Sequence, residues 1–119
     1  MRRLLNLIST WWLPCTAVTL AVILVLSLRP SLSLPDVPGK DKTLHLLAYT
    51  ALIFPAGLRH PRLLPAIFLF FIFCGGMIEL IQPYVGRSCE GLDWAADTLG
   101  LACGLLLTEM LRRLNVCNA

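Results

Sequence analysis

An uncharged apolar run at residues 11–28 constrains this chain more than any other feature. A helix needs about 17–25 mostly apolar residues to cross a bilayer, and the run meets that length. Trp11 and Trp12 suit the headgroup boundary, and Pro14 falls in a first helical turn, where its missing N–H is tolerated. Because no A-x-A-like cleavage site follows, we interpret the run as a retained anchor rather than a signal peptide.

Three further apolar segments follow, at residues 43–58, 63–82 and 92–111. Prolines at 30, 35 and 38 predict an extended loop after the first segment, and Pro83 predicts the end of the third. Only 14% of the residues are charged, whereas a soluble domain of this size carries about a quarter. The sequence therefore predicts an all-α membrane protein, a compact bundle of four transmembrane helices.

We divide the chain into three parts on this basis. They are an N-terminal transmembrane anchor with a proline-rich loop (1–39), a three-helix core (40–111) and a short C-terminal tail (112–119).

The distribution of Lys and Arg predicts the orientation of the bundle, because cytoplasmic loops carry the excess of these residues. One side holds six of them: Arg2, Arg3, Arg59, Arg62, Arg112 and Arg113. The other side holds four: Arg29, Lys40, Lys42 and Arg87. Both termini are therefore expected to be cytoplasmic. The basic residues form short clusters rather than a continuous face, which argues against nucleic acid as a partner.

Polar side chains are concentrated at those ends of the last three segments that meet on the outer side of the membrane. Ionisable residues at membrane depth are costly and usually functional, so we predict one concave polar site there. Its candidate residues are Lys42, His45 and Tyr49 on the second segment, Glu79 and Gln82 on the third, and Arg87, Asp93 and Asp97 around the start of the fourth.

Small residues beside this site predict close helix packing. Gly75 and Gly76 lie one turn before Glu79, and a small-xxx-small ridge runs along the fourth segment at Ala96, Gly100 and Gly104. A homodimer through such a ridge is a further expectation. Asp41 and Asp93 are each as well explained as helix N-caps, and Glu109 is expected to pair with Arg112 or Arg113.

The order and spacing of these polar residues resemble the VanZ-like family. The motifs are D-K-x-x-H at 41–45 with Tyr49, E-x-x-Q at 79–82, G-R-S at 86–88, Asp93 and Gly100, over residues 40–107. Asp97 departs from the pattern, in which we expect Asn. The resemblance implies a protein of the bacterial cytoplasmic membrane that acts in the cell envelope, as does the teicoplanin-resistance accessory protein for which the family is named.

Two functional classes remain open. In the first, Lys42 and Arg87 bind the phosphate of an anionic envelope lipid or a lipid-linked wall precursor. In the second, an enzyme acts on such a lipid, with His45 as general acid or base and Glu79 tuned by partial burial.

The other possibilities are weaker. In one variant of the enzyme hypothesis, Glu79, Asp93 and Asp97 hold a divalent metal. The sequence contains no C-x-x-C pair that would indicate a zinc or redox centre, and no cofactor is expected. The simplest alternative is that the polar cluster only joins helices within a structural or partner-binding bundle.

Overall fold

The computed structural model describes residues 2–28, 40–59, 61–85 and 91–117. These residues form five α-helices and one 3-10 helix. The helices are α1 (Arg2–Thr10), α2 (Trp12–Ser27), α3 (Lys40–Arg59), α4 (Leu64–Ile81), a 3-10 helix (Gln82–Val85) and α5 (Gly91–Cys117). The proline-rich loop at 29–39 and Arg87, both prominent in the sequence, lie outside the described residues.

The N-terminal part contains a second helix that the apolar pattern did not predict. Instead of one rod over residues 11–28, α1 precedes α2 and the two helices are bent by 77° at Trp11. Helix α1 carries both arginines and several other polar residues, and it buries Leu5 in contact with α3. A search for uncharged runs misses such an amphipathic segment, because its apolar residues occupy only one face.

Helices α3 and α5 pack against each other along the glycine ridge predicted on the fourth segment. A methyl group on Gly100 would overlap the main-chain carbonyl oxygen of Leu46, and one on Gly104 would overlap the side chain of Ile53. The Thr50 hydroxyl lies 2.9 Å from the Gly100 carbonyl oxygen and 2.8 Å from the Leu46 carbonyl oxygen, so its one hydrogen is shared between a bond across the helices and a bond within α3. The prediction of close approach at these two glycines is confirmed, and their partner is α3 of the same chain.

Helix α4 contacts α5 at the predicted pair of small residues Gly75 and Gly76. The Trp94 indole N–H donates a hydrogen bond to the Ile72 carbonyl oxygen at 2.9 Å. A Cβ atom on Gly76 would lie 3.4 Å from that indole nitrogen, so the glycine leaves the α4 backbone open to the ring. Helix α4 ends at Ile81, and Pro83 lies within the 3-10 turn that follows, as expected for a residue that stops a helix.

The helix starts differ from the capping predictions. Helix α3 has already begun at Lys40 and α5 at Gly91, so Asp41 and Asp93 lie within first turns rather than at N-caps. A carboxylate in a first turn is still favourable there, because the helix dipole places partial positive charge at that end.

At the far end of α5, Glu109 accepts hydrogen bonds from both Arg112 and Arg113 at 2.9 Å, which confirms the predicted pairing.

Two of the described helices, α4 with its 3-10 extension and α5, are long and apolar enough to cross a membrane. The bent pair α1–α2 raises the number to three if it counts as one span. Large apolar side chains also remain exposed around the bundle, with Phe73 at 63% and Leu106 at 67% exposure. These features are consistent with an integral membrane protein, since lipid rather than water then surrounds those side chains.

Candidate functional site

Helices α3, α4 and α5 bring polar side chains together at one end of the bundle. His45 lies in the second turn of α3, Glu79 in the last turn of α4 and Asp97 in the second turn of α5. The glycines described above make this possible, because they let the three backbones approach without intervening side chains.

A hydrogen bond between His45 and Asp97 is the central contact of the site. The His45 ring nitrogen Nδ1 lies 2.8 Å from the Asp97 carboxylate oxygen Oδ1, and the N–H donates to the carboxylate. Asp97 is 1% exposed and His45 is 16% exposed. The contact joins residues 52 positions apart, so it fixes the register of α3 against α5.

Glu79 completes a compact trio with this pair. One ligand atom from each of His45, Glu79 and Asp97 lies within 4.8 Å of the other two, and the Glu79 side chain is buried. Two carboxylates and an imidazole therefore share one small volume, supplied by three different helices. Burying like charges together costs free energy unless protons or cations compensate them.

Tyr49 faces the same volume from one turn further along α3. Its side chain is 1% exposed, and its hydroxyl has no hydrogen-bond partner among the described residues. The hydroxyl oxygen lies 3.4 Å, and the Asp97 Oδ2 atom 3.0 Å, from the position that a Cβ atom would take on Gly75. Gly75 thus keeps open the space into which Tyr49 and Asp97 both project.

Gln82 connects the site to the first long helix. Its side-chain amide donates a hydrogen bond to the Ser27 carbonyl oxygen at 3.2 Å, and the side chain is buried. The end of α2 is thereby held against the end of α4.

A cleft of about 230 Å³ opens between α2 and α3 beside these residues. Its apolar wall comes from both helices, and three residues of the site, His45, Tyr49 and Gln82, line it. The lining residues are Ile23, Leu26, Ser27, Leu44, His45, Ala48, Tyr49 and Gln82. An apolar groove that leads to a histidine and an amide suits a molecule with both an apolar and a polar part.

The other predicted site residues lie around this centre. Asp93 is buried one turn before Asp97 on α5. Lys42 lies one turn before His45 on α3 and is half-buried. Arg87, the second predicted phosphate ligand, lies outside the described residues. The structure thus brings together His45, Tyr49, Glu79, Gln82 and Asp97, with Lys42 and Asp93 one turn away on their helices.

Ser27, Ile23 and Leu26 of α2 were not among the predicted site residues. The division of the chain at the proline-rich loop assigned α2 to the anchor, so only residues of the core were considered for the site. Gln82 bonds the main-chain carbonyl oxygen of Ser27, which any residue would supply, so no side chain of α2 signalled this contact in the sequence.

No protein-family model, curated protein or solved structure matches the chain. The resemblance to the VanZ-like family therefore stays a prediction from the sequence motifs.

Proposed function

We propose that this chain is a four-span protein of the bacterial cytoplasmic membrane, of the VanZ-like type, that binds an anionic envelope lipid or a lipid-linked wall precursor. The cleft between α2 and α3 is the observation that carries the proposal. Its apolar wall suits an acyl or prenyl chain, and its polar end suits a phosphorylated headgroup.

Charge distribution supports an extracytoplasmic position for the polar end. The six arginines expected in the cytoplasm belong to α1, the ends of α3 and α5, and the turn before α4. His45, Gln82 and Asp97 lie at the opposite ends of their helices. With both termini cytoplasmic, as the Lys and Arg excess favours, the cleft opens to the outer leaflet.

An enzyme acting on the same lipid is the second candidate, and the His45–Asp97 hydrogen bond favours it. A carboxylate that accepts a hydrogen bond from one imidazole nitrogen orients the ring and increases the basicity of the other nitrogen. Glu79 then lies close enough to serve as a second acid or base. In this mechanism His45 removes a proton from the attacking group or returns one to the leaving group.

Lipid retention by the purified protein tests the binding proposal. The protein is extracted in mild detergent and mixed with phosphatidylglycerol, a polyprenyl phosphate or phosphatidylethanolamine, and bound lipid is measured by native mass spectrometry. We expect wild type to retain the two anionic lipids in preference to phosphatidylethanolamine. His45→Gln keeps hydrogen bonding at the site, so we expect weaker but measurable retention, and Glu109→Gln serves as the matched control far from the cleft.

The same variants separate the alternatives. The binding proposal would be refuted if wild type retained all three lipids equally and His45→Gln retained them to the same extent as wild type. Loss of nearly all cellular phenotype in His45→Gln, with lipid retention intact, favours the enzyme. If His45→Ala and Glu79→Gln instead lose several degrees of thermal stability, the cluster mainly joins helices. Teicoplanin tolerance on expression in a susceptible host tests whether the family association extends to this chain.

A further inference from the structure

Three helices contribute one metal-ligating side chain each to the trio of His45, Glu79 and Asp97. We propose that this trio binds a divalent transition-metal ion of the Zn²⁺ or Mn²⁺ class. The proposal does not depend on which lipid occupies the cleft, or on whether any does.

The spacing of the donor atoms fits a shared ion. Ligands about 2.1 Å from a metal lie about 3.0 Å apart when adjacent at right angles and about 4.2 Å apart when opposite. The 2.8 Å between His45 Nδ1 and Asp97 Oδ1 is close to the adjacent spacing, so an ion bound to both atoms would replace the proton that they now share and release it to solvent. All three donors lie within 4.8 Å of one another, so small side-chain rotations bring Glu79 into the coordination sphere.

The charge of the trio also favours a cation. Glu79 and Asp97 are 4% and 1% exposed, and Asp93, buried nearby on α5, adds a third carboxylate. A protonated His45 offsets one negative charge, and Lys42 adds positive charge one turn away on α3. A divalent ion between Glu79 and Asp97 neutralises both carboxylates directly and leaves His45 as a neutral ligand.

Tyr49 supplies an independent observation. Burial of a hydroxyl without a hydrogen-bond partner costs about 1–3 kcal/mol, so a native core usually provides one. The Tyr49 hydroxyl is fully buried, lacks such a partner among the described residues and, like Asp97 Oδ2, lies against the position that a Cβ atom would take on Gly75. A metal-bound carboxylate or a metal-bound water gives this hydroxyl an acceptor, which is the usual arrangement around metal ligands.

The donor set indicates the class of ion. One imidazole nitrogen with two carboxylate oxygens suits Zn²⁺, Mn²⁺ or Fe²⁺, whereas Mg²⁺ and Ca²⁺ prefer oxygen ligands alone. Three protein ligands leave at least one coordination position for water or for an oxygen of a ligand. His45 and Tyr49 also line the cleft, so that position is accessible from it.

Metal titration of the detergent-purified protein, after treatment with EDTA and without added lipid, tests the proposal. Mn²⁺ binding is followed by electron paramagnetic resonance and Co²⁺ binding by its visible absorption bands. We expect one ion per chain, displaced by Zn²⁺. Asp97→Asn and Glu79→Gln should each weaken binding by more than about 100-fold, and Tyr49→Phe by about 10-fold.

Glu109→Gln is the matched control, because it removes a carboxylate from the other end of α5 and should leave the metal affinity unchanged. The absence of stoichiometric Mn²⁺ or Co²⁺ binding to wild type would overturn the proposal. Equal affinity in wild type and Asp97→Asn would do the same. The wild-type titration decides the matter even if a variant fails to fold. Retention of anionic lipid by a protein that binds no added metal once EDTA has been removed rejects the metal site alone, whereas metal binding without lipid retention rejects the proposed function alone.

Discussion

Gly100→Ala should separate helices α3 and α5 and destabilise the bundle. The added methyl group would overlap the Leu46 carbonyl oxygen, which belongs to the backbone of α3 and has no rotamer by which to move away. Inserting a methyl group into a packed interior costs about 1–3 kcal/mol, and an immovable obstacle favours the upper half of that range.

Two smaller terms modify the estimate. Alanine is a better helix former than glycine by about 1 kcal/mol, which opposes the loss. Separation of the helices also weakens the hydrogen bond from Thr50 to the Gly100 carbonyl, and such bonds between membrane helices contribute about 0.6 kcal/mol. We therefore expect a net loss of about 1.5–2.5 kcal/mol.

Unfolding in detergent measures this loss, with helical circular dichroism followed against temperature or SDS concentration. Gly91→Ala is the matched control on the same helix, because nothing described lies within 4 Å of the added methyl group. We expect that control to stay within about 0.5 kcal/mol of wild type. A Gly100→Ala protein as stable as wild type would show that the α3–α5 contact is looser than the structure indicates, and would remove the basis for a fixed His45–Asp97 spacing.

Three other substitutions test individual contacts by the same unfolding measurement. Trp94→Phe removes the indole hydrogen bond to Ile72 and should cost about 0.5–1.5 kcal/mol; no loss would mean that this α4–α5 contact does not form in the membrane. Thr50→Val keeps the shape of the side chain and removes the hydroxyl shared between the Gly100 and Leu46 carbonyls, so about 0.6 kcal/mol is expected for the bond between helices, and a loss several times larger would contradict so weak a bond. Glu109→Gln breaks a partly exposed ion pair and should change stability by less than about 0.5 kcal/mol, so that a large effect would place Glu109 in a structural network.

The sequence predicted the positions of the last three helices, although α5 continues to Cys117 rather than ending at residue 111, and the clearest local signals lie at the end of α4 and on one face of α5. Pro83 ends α4, and Gly100 and Gly104 lie on the face of α5 that meets another helix. These signals depend on residues a few positions apart, so pattern alone is enough to find them. Successive segments were expected to run in opposite directions, and this placed the polar ends of the last three segments at the same end of the bundle.

The bend at Trp11 and the wall of the cleft could not be predicted in the same way. The bend accompanies packing of α1 on α3, a contact between segments about forty residues apart with no local signal at Trp11. The position of α2 beside the cleft likewise depends on a contact between distant residues, the hydrogen bond from Gln82 to the Ser27 carbonyl oxygen. The sequence placed His45, Glu79 and Asp97 at one depth, but the choice of Asp97 as the partner of His45 depends on the register of two helices.

The position of α3 has a consequence for how the protein is made. Helix α3 is the least apolar of the long helices and is not one of the described helices that could cross a membrane on length and composition alone. Its centre is covered by neighbours, with Leu52 and Ile53 fully buried, and its main contact is with α5. Since α5 is synthesised after α3, the contacts of α3 with α1 and α2 are the main ones available to it until α5 emerges. We therefore expect the pairing of His45 with Asp97 to be among the last steps of biogenesis, so that quality control acting on unpaired α3 would remove chains in which the site has not assembled.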